Sequence, residues 1–311
     1  MDFELTEEHR LIRETARDFA LREIAPKAAE LDKSGRWPTE IVKRLGELGF
    51  LGVAIPTELG GAGLDTLSYA LAMEEVSAAC ASSGVIMSVN NSLFCDPLYK
   101  FGTDAQKRDI LTPCARGDKL GCFGLTEPMS GSDAQTMITG AEKVADGWVI
   151  NGAKNWITNG PVADYILVFA VTDRSGPKVK HTAFVIPRGT PGFTHNAPDH
   201  KLGIHAAHSC TVFFESCKVP DSAMVGNVGE GFKVAMATLD GGRIGIACQA
   251  LGIARAAFQS SVAYAKERKS FAWLLSEVCL TCSSFIVAAR HVSRRAASIS
   301  VAMSASMNWM A

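Results

Sequence analysis

The stretch GWVINGAKNWITNG at residues 147–160 alternates apolar and polar residues between bounding turn formers. A period of two belongs to a half-buried strand, not to a helix. Three further runs repeat the signal: DYILVFAV (164–171), HTAFVIP (181–187) and CTVFFESCKVP (210–220) are β-branched and aromatic, and Gly, Pro and Asp clusters separate them. Strands at this spacing suggest a small antiparallel barrel or a sandwich.

On either side of this block the period is helical. Upstream, Thr6 is placed to cap a helix whose first turn carries Glu7 and Glu8, at the positive end of the dipole. Leu11, Ile12, Ala16, Phe19, Ala20 and Ile24 follow at three- and four-residue spacing, and Pro26 predicts the stop. A second helix is expected through Ile41, Val42, Leu45 and Leu48, and PTELGGAGLD (56–65) reads as a loop. A long helix follows through Leu67, Leu71, Met73, Val76 and Ala79. SVNNSLF (88–94) falls inside the next helical stretch, where two adjacent asparagines are unusual because Asn competes for the helix backbone. From about residue 233 the period turns helical again. The expected order is therefore helices, strands, helices, with boundaries at 1–119, 120–232 and 233–311.

The composition excludes several classes. The 311 residues are 47% hydrophobic and 20% charged, which fits a globular chain and argues against disorder. The net charge of −1 provides no global field for nucleic acid or an anionic membrane. Nine scattered cysteines, with no secretory signal at the acidic start MDFELTEEHR, point to reduced thiols. The lone pair Cys279 and Cys282 has redox spacing but no companion motif. No apolar run approaches the roughly 20 residues that span a bilayer, so a soluble protein is expected.

FGLTEPMSGSD at 123–133 follows a hydrophobic run. Gly131 permits close backbone approach, and Thr126, Ser130 and Ser132 place hydroxyls beside backbone N–H groups. The segment reads either as a polar loop or as a cradle for a phosphate-bearing cofactor.

Taken together, CFGLTEPMSGSDA, WVINGAKNWITNG, VFFESCKVP and GEGFKVAMATLDGGRIGIACQALGIARAAF resemble the flavin-dependent acyl-CoA dehydrogenases over about residues 1–277, with SVNNSLF and TLDGGRIGIA most similar to the short-chain, butyryl-type members. The resemblance implies a mainly α, α+β fold: a helical N-terminal domain, a middle antiparallel β-barrel and a C-terminal helical bundle, assembled as a tetramer. It implies oxidation of an acyl-CoA to the 2-enoyl-CoA with FAD, electrons passing to electron-transfer flavoprotein. By carry-over, Phe123, Gly124, Leu125, Thr126, Glu127, Pro128, Met129, Ser130, Gly131 and Ser132 wrap the flavin ring and the start of the pyrophosphate. Thr126 would meet the pyrimidine edge, and Ser132 would lie between FAD phosphate and substrate. Trp156, Ile157 and Thr158 would pack on the flavin, with the threonine hydroxyl near N5; taken alone, Trp156 reads as a core tryptophan. Asp240, Gly241, Gly242 and Arg243 would contact substrate, although Asp240 and Arg243 also read as a surface ion pair. Arg268 would reach the FAD of a neighbouring subunit. The compartment implied is the cytoplasm in a bacterium or the mitochondrial matrix in a eukaryote.

The chain also departs from the family pattern. Met129 replaces a small residue and is expected to tighten the loop. His200, His205 and His208 lack a carboxylate or Cys companion at ligand spacing, so they read as a solvated loop and no metal is expected. Residues 278–311 contain no Asp or Glu, where the density of the first 277 would place about four. The family's late glutamate base is not found in this segment, and the alternative base position on the first C-terminal helix falls at Gly241 or Gly242. The expectation is an incomplete bundle and an acyl-CoA dehydrogenase chain that lacks its base; the alternative is a non-catalytic isoform or fragment that binds flavin, CoA or a full-length partner.

Overall fold

The computed structural model describes residues 4–270 and 273–274. Thr6 caps helix α1 (Glu7–Phe19) as its side chain suggests, accepting the His9 N–H at 3.2 Å. Pro26 does not end this helix. The chain widens through a π-type stretch, Ala20–Ile24, and continues as α2 (Ala25–Ser34), with the proline in its first turn where no N–H is required. Helices α3 (Thr39–Glu47) and α4 (Thr66–Ala79) follow, the latter capped by Asp65 on the Ser68 N–H. Helix α5 (Ala81–Ser88) runs through a second π-type stretch, Val89–Cys95, into α6 (Asp96–Phe101). Two short helices, α7 (Asp104–Gln106) and α8 (Thr112–Arg116), lead to the sheet.

The two asparagines are explained by what they hold. Asn90 Nδ2 donates to the Leu51 and Cys114 carbonyls at 2.9 and 3.0 Å, and its Oδ1 accepts the Gly121 N–H at 3.0 Å. Asn91 Nδ2 donates to the carbonyls of Phe50 and Met87 at 2.8 and 2.9 Å, and its Oδ1 accepts the Val53 N–H at 2.8 Å. Both are buried. They rivet the 50–53 turn, α8 and the first strand to one another.

The strands are β1 (Gly121–Gly124), β2 (Gly140–Val144), β3 (Gly147–Thr158), β4 (Tyr165–Asp173), β5 (Lys180–Pro187), β6 (Phe193–His195), β7 (Ser209–Val219) and β8 (Met224–Val225). They form one sheet in the order β6-β7-β3-β2-β4-β5-β8, with β1 also on β4. The expected antiparallel barrel is therefore corrected on two counts. The sheet is open, because its path ends on strands of three and two residues that do not pair with each other, whereas closure needs continuous pairing at a fixed stagger. It is also mixed, because β1 and β2 both pair with β4 in parallel.

Helix α9 (Gly231–Glu267) follows. It is the single helix described after the sheet; the rest of the expected bundle, the acid-free segment 278–311 and Cys279 and Cys282 lie outside the described residues. The chain divides into two compact units, Met1–Arg255 and Ala256–Ala311. In the second, β9 (Lys269–Ser270) pairs antiparallel with β10 (Trp273–Leu274). In the first, Glu75 on α4 is clamped by Arg17 of α1 at 2.8 Å and by Arg255 of α9 at 2.6 Å. The seven cysteines among the described residues are all free. No helix among those residues is long and apolar enough to cross a membrane.

Candidate functional site

Strand β3 is irregular at its far end. Its ladder with β7 shifts register between Lys154 and Ile157, a β-bulge. At this bulge Trp156 takes a left-handed backbone, φ +61°, which bulky residues avoid. The bulge turns the indole out of the sheet and leaves the residue 65% exposed, so it is not a core tryptophan. Ile157 instead points inward and is buried in the core.

The loop after β1 faces this bulge. Asn155 N–H donates to the Thr126 carbonyl at 2.8 Å, which fixes the spacing of the two segments. Between them lies a cleft of about 220 Å³, lined by Phe123, Leu125, Thr126, Asn155, Trp156, Ile157 and Thr158, with Val89, Leu93 and Leu239 from the helices. The hydroxyls of Thr126 and Thr158 make no hydrogen bond among the described residues, and the buried Asn155 Oδ1 has no partner there either. The structure thus brings Phe123, Leu125 and Thr126 together with Trp156–Thr158. Gly124 sits in the strand beneath them, packed against Ile166.

The rest of the loop turns away. Glu127 and Ser130 exchange backbone hydrogen bonds at 2.8 and 3.2 Å, and Ser130 Oγ donates to the Asp133 carbonyl at 2.8 Å. These bonds make a tight turn that exposes Pro128, Met129, Gly131 and Ser132. Met129 is 89% exposed, so within this unit it does not tighten the loop as its size suggests. The N–H groups of Met129, Gly131 and Ser132 donate to nothing among the described residues. The Glu127 side chain is buried behind the cleft and does not line it: its carboxylate meets Lys154 Nζ at 2.8 Å and accepts the N–H groups of Ile138 and Thr139 at 2.6 and 3.0 Å. Burial alone would raise its pKa, but the lysine charge and the Ile138 N–H outweigh that and hold it below the ordinary carboxylate value. Burial pulls Lys154 the other way, down to about 8. No sequence signal marks this lysine, because in an alternating strand a lysine is ordinarily solvent-facing.

A second, larger cleft of about 430 Å³ opens between α4, the 91–100 segment and α9. Asp240 and Gly241 line it together with Thr66, Tyr69, Asn91, Ser92, Asp96 and Lys100. Two carboxylates, Asp96 and Asp240, therefore face this space. Asp96 pairs with Lys100 at 2.9 Å, and Asp240 pairs with Arg243 one turn along the exposed face of the helix. A Cβ on Gly241 would meet only Asp96 Oδ2, at 3.7 Å, whereas one on Gly242 would press on Leu93 at 2.8 Å. Gly241 thus borders the cleft, and Gly242 lets α9 settle onto the protein itself. Arg243 does not line the cleft. Arg268 lies beyond the end of α9, exposed, in the second unit.

The three histidines stand apart, beside the end of α2. His205 bonds Asp32 at 2.9 Å and the Lys201 carbonyl at 2.8 Å, and His208 bonds the Gly35 carbonyl at 2.8 Å. These bonds tie the 198–208 loop to α2.

The helices and mixed sheet thus carry two clefts, a smaller one walled by the exposed Trp156 and a larger one edged by Asp96, Lys100 and Asp240. The chain belongs to the acyl-CoA dehydrogenase family: its N-terminal domain model matches residues 6–118, its middle domain model 122–217 and its C-terminal domain model 229–306. The short-chain specific acyl-CoA dehydrogenase, mitochondrial, of Rattus norvegicus is 52% identical over 268 residues, 86% of this chain and 65% of that protein. The chain thus spans just under two thirds of this curated relative. Two solved structures share the fold. Butyryl-CoA dehydrogenase from Megasphaera elsdenii is 42% identical with a TM-score of 0.90, covering 96% of this chain and 78% of that one. A chain in the structure of the electron transferring flavoprotein of Acidaminococcus fermentans is 42% identical with a TM-score of 0.91, covering 99% and 80%.

Proposed function

We propose that this chain is an FAD-dependent oxidoreductase that dehydrogenates a short-chain acyl-CoA at its α,β-carbons and passes the electrons to an electron-transferring flavoprotein. The observation that carries this is Trp156, exposed in a left-handed backbone at a bulge, across a narrow cleft from Phe123–Thr126. Such strain persists where a side chain must be aimed at something. The cleft fits a flavin ring: it offers one flat aromatic wall, two free threonine hydroxyls and the unpartnered Asn155 Oδ1. The three free N–H groups of the 129–132 turn suit a pyrophosphate. The short-chain and butyryl-CoA relatives support the substrate class, and the Acidaminococcus structure supports the electron acceptor.

When bound, FAD would supply the hydride acceptor. Trp156 would cover one face of the ring and exclude water, and Leu125 and Leu239 would keep the surroundings apolar. The Thr126 hydroxyl would donate to the ring's polar edge, where negative charge gathers on reduction, and the Thr158 hydroxyl would serve the side that accepts hydride. The acyl thioester would occupy the larger cleft against Gly241, with Asp240 at its edge and Arg243 paired to Asp240 outside it. The α-proton requires a carboxylate, and Asp96 and Asp240 are each held by a basic partner. Neither is assigned that role. The absorbance spectrum of the purified chain, before and after anaerobic butyryl-CoA, tests the proposal. A flavin band that butyryl-CoA bleaches is expected; a colourless chain that does not take up added FAD would contradict it.

The ion-paired acids and the glycines at 241–242 favour a second reading, in which this chain binds both ligands but turns over slowly. General-base positioning contributes roughly 10²–10⁴ in rate. Gly241→Glu has room to project into the cleft, so it is expected to speed flavin bleaching by about 10² or more in stopped flow. Equal rates would show that another group already takes the proton.

A further inference from the structure

Lys154 is fully buried, and every contact its ammonium makes is to the segment that builds the opposite wall of the smaller cleft. It meets Glu127 Oε1 at 2.8 Å, the Leu125 carbonyl at 3.1 Å and Met137 Sδ at 3.7 Å. Glu127 in turn gathers the N–H groups of Ile138 and Thr139, so one charge pair binds residues 125, 127 and 137–139 to β3. The next residue along β3, Asn155, bonds Thr126, and the one after it is the strained Trp156. The bulge therefore starts beside the residue whose side chain holds the facing loop. Neither Glu127 nor Lys154 lines the cleft.

Burying two charges is costly, and an apolar pair of similar volume commonly serves stability as well or better. A buried pair with this placement is explained by the geometry it specifies. We propose that the Lys154–Glu127 ion pair is a positioning pair that locks the loop Leu125–Glu127 to the Asn155–Trp156 bulge and so sets the spacing of the two walls that grip the flavin ring. This rests on reading the smaller cleft as the flavin site.

The pair is removed without loss of volume in Lys154→Met/Glu127→Leu, and hydrogen exchange is followed on the FAD-free chain. The amides at positions 127, 130 and 155 report the two walls, and those of β4 and β5 report the sheet at large. The expected result is exchange faster by about tenfold or more at the walls with β4 and β5 unchanged, together with a roughly tenfold weaker FAD Kd by fluorescence titration. Glu127→Gln, which keeps the shape and one accepting oxygen but removes the charge and replaces the other acceptor with a donor, is expected to move the same amides in the same direction by less. It decides the question if the double variant does not fold. Unchanged exchange at the walls overturns the proposal. So does a rise spread evenly over β4, β5 and the walls, because the pair would then be a general support of the sheet. If the parent chain binds no FAD, the flavin reading fails, while the exchange measurements still decide whether the pair joins the two walls.

Discussion

Trp156 holds its left-handed backbone at a cost of order 1–3 kcal/mol. Glycine adopts that conformation freely, and the exposed indole contributes little packing within the described unit. Trp156→Gly is therefore expected to leave the melting temperature unchanged or raised while weakening FAD retention. A clear fall in melting temperature with FAD affinity intact would show that the indole serves stability and not the cleft. The residue types around this cleft were legible in the sequence because they sit in contiguous motifs. Lys154 was not, because its burial depends on a loop far off in the chain. Glu127 was placed among the cofactor contacts by motif alone, and the fold turns its side chain to the lysine. Asp240 and Arg243 show both sides of a double reading: they pair with each other, and Asp240 still borders the larger cleft.

Among the elements, helix α9 contains the sharpest conflict between local preference and packing. Ala is better than Gly in a helix by about 0.8–1.0 kcal/mol, so Gly252→Ala should stabilise an isolated helix. In the fold its Cβ would run into the Glu74 carbonyl and come within 2.9 Å of the Ala78 N, both backbone atoms that cannot swing away. The clash is expected to win, and urea unfolding should show Gly252→Ala less stable than the parent; a gain would mean that α9 stands further from α4 than described. The start of α4 gives a pH test. The Ser68 N–H chiefly, with help from His9, holds Asp65 down to about 2 against the opposing effect of burial. A depressed carboxylate stabilises fully above its unfolded pKa, about 3.9, and loses that effect as pH falls through the folded value. Asp65→Asn keeps the cap but not the charge, so the parent's advantage over it should shrink between about pH 4 and pH 2. At this scale the helical and strand periods were readable. The continuation through Pro26 was not, because a proline reads alike in a first turn and after a last one. The parallel pairing of β1 with β4 was hidden too, since neighbours in a sheet are set by tertiary packing.

Over the whole molecule, the apolar residues of α9 do not form a single stripe. Ile244 and Leu251 lie on one side, Ile246 and Ile253 on another, and all four are exposed. Large apolar side chains exposed on two sides of one helix suit a bundle or an interface. Sedimentation velocity at micromolar concentration is expected to show self-association that Ile246→Glu/Leu251→Glu reduces; a monodisperse monomer would contradict it. The helix–sheet–helix order was legible because the hydrophobic period changes twice along the chain. Closure of the sheet was not, because it depends on edge-strand length and stagger. The central claim is that the two clefts take a flavin and an acyl-CoA side by side. A crystal structure of the chain loaded with FAD and an unreactive butyryl-CoA analogue tests this directly. The account predicts the isoalloxazine ring between Thr126 and Trp156–Thr158, with the acyl chain in the larger cleft against Gly241. A ring bound anywhere else, with the smaller cleft empty, would contradict it.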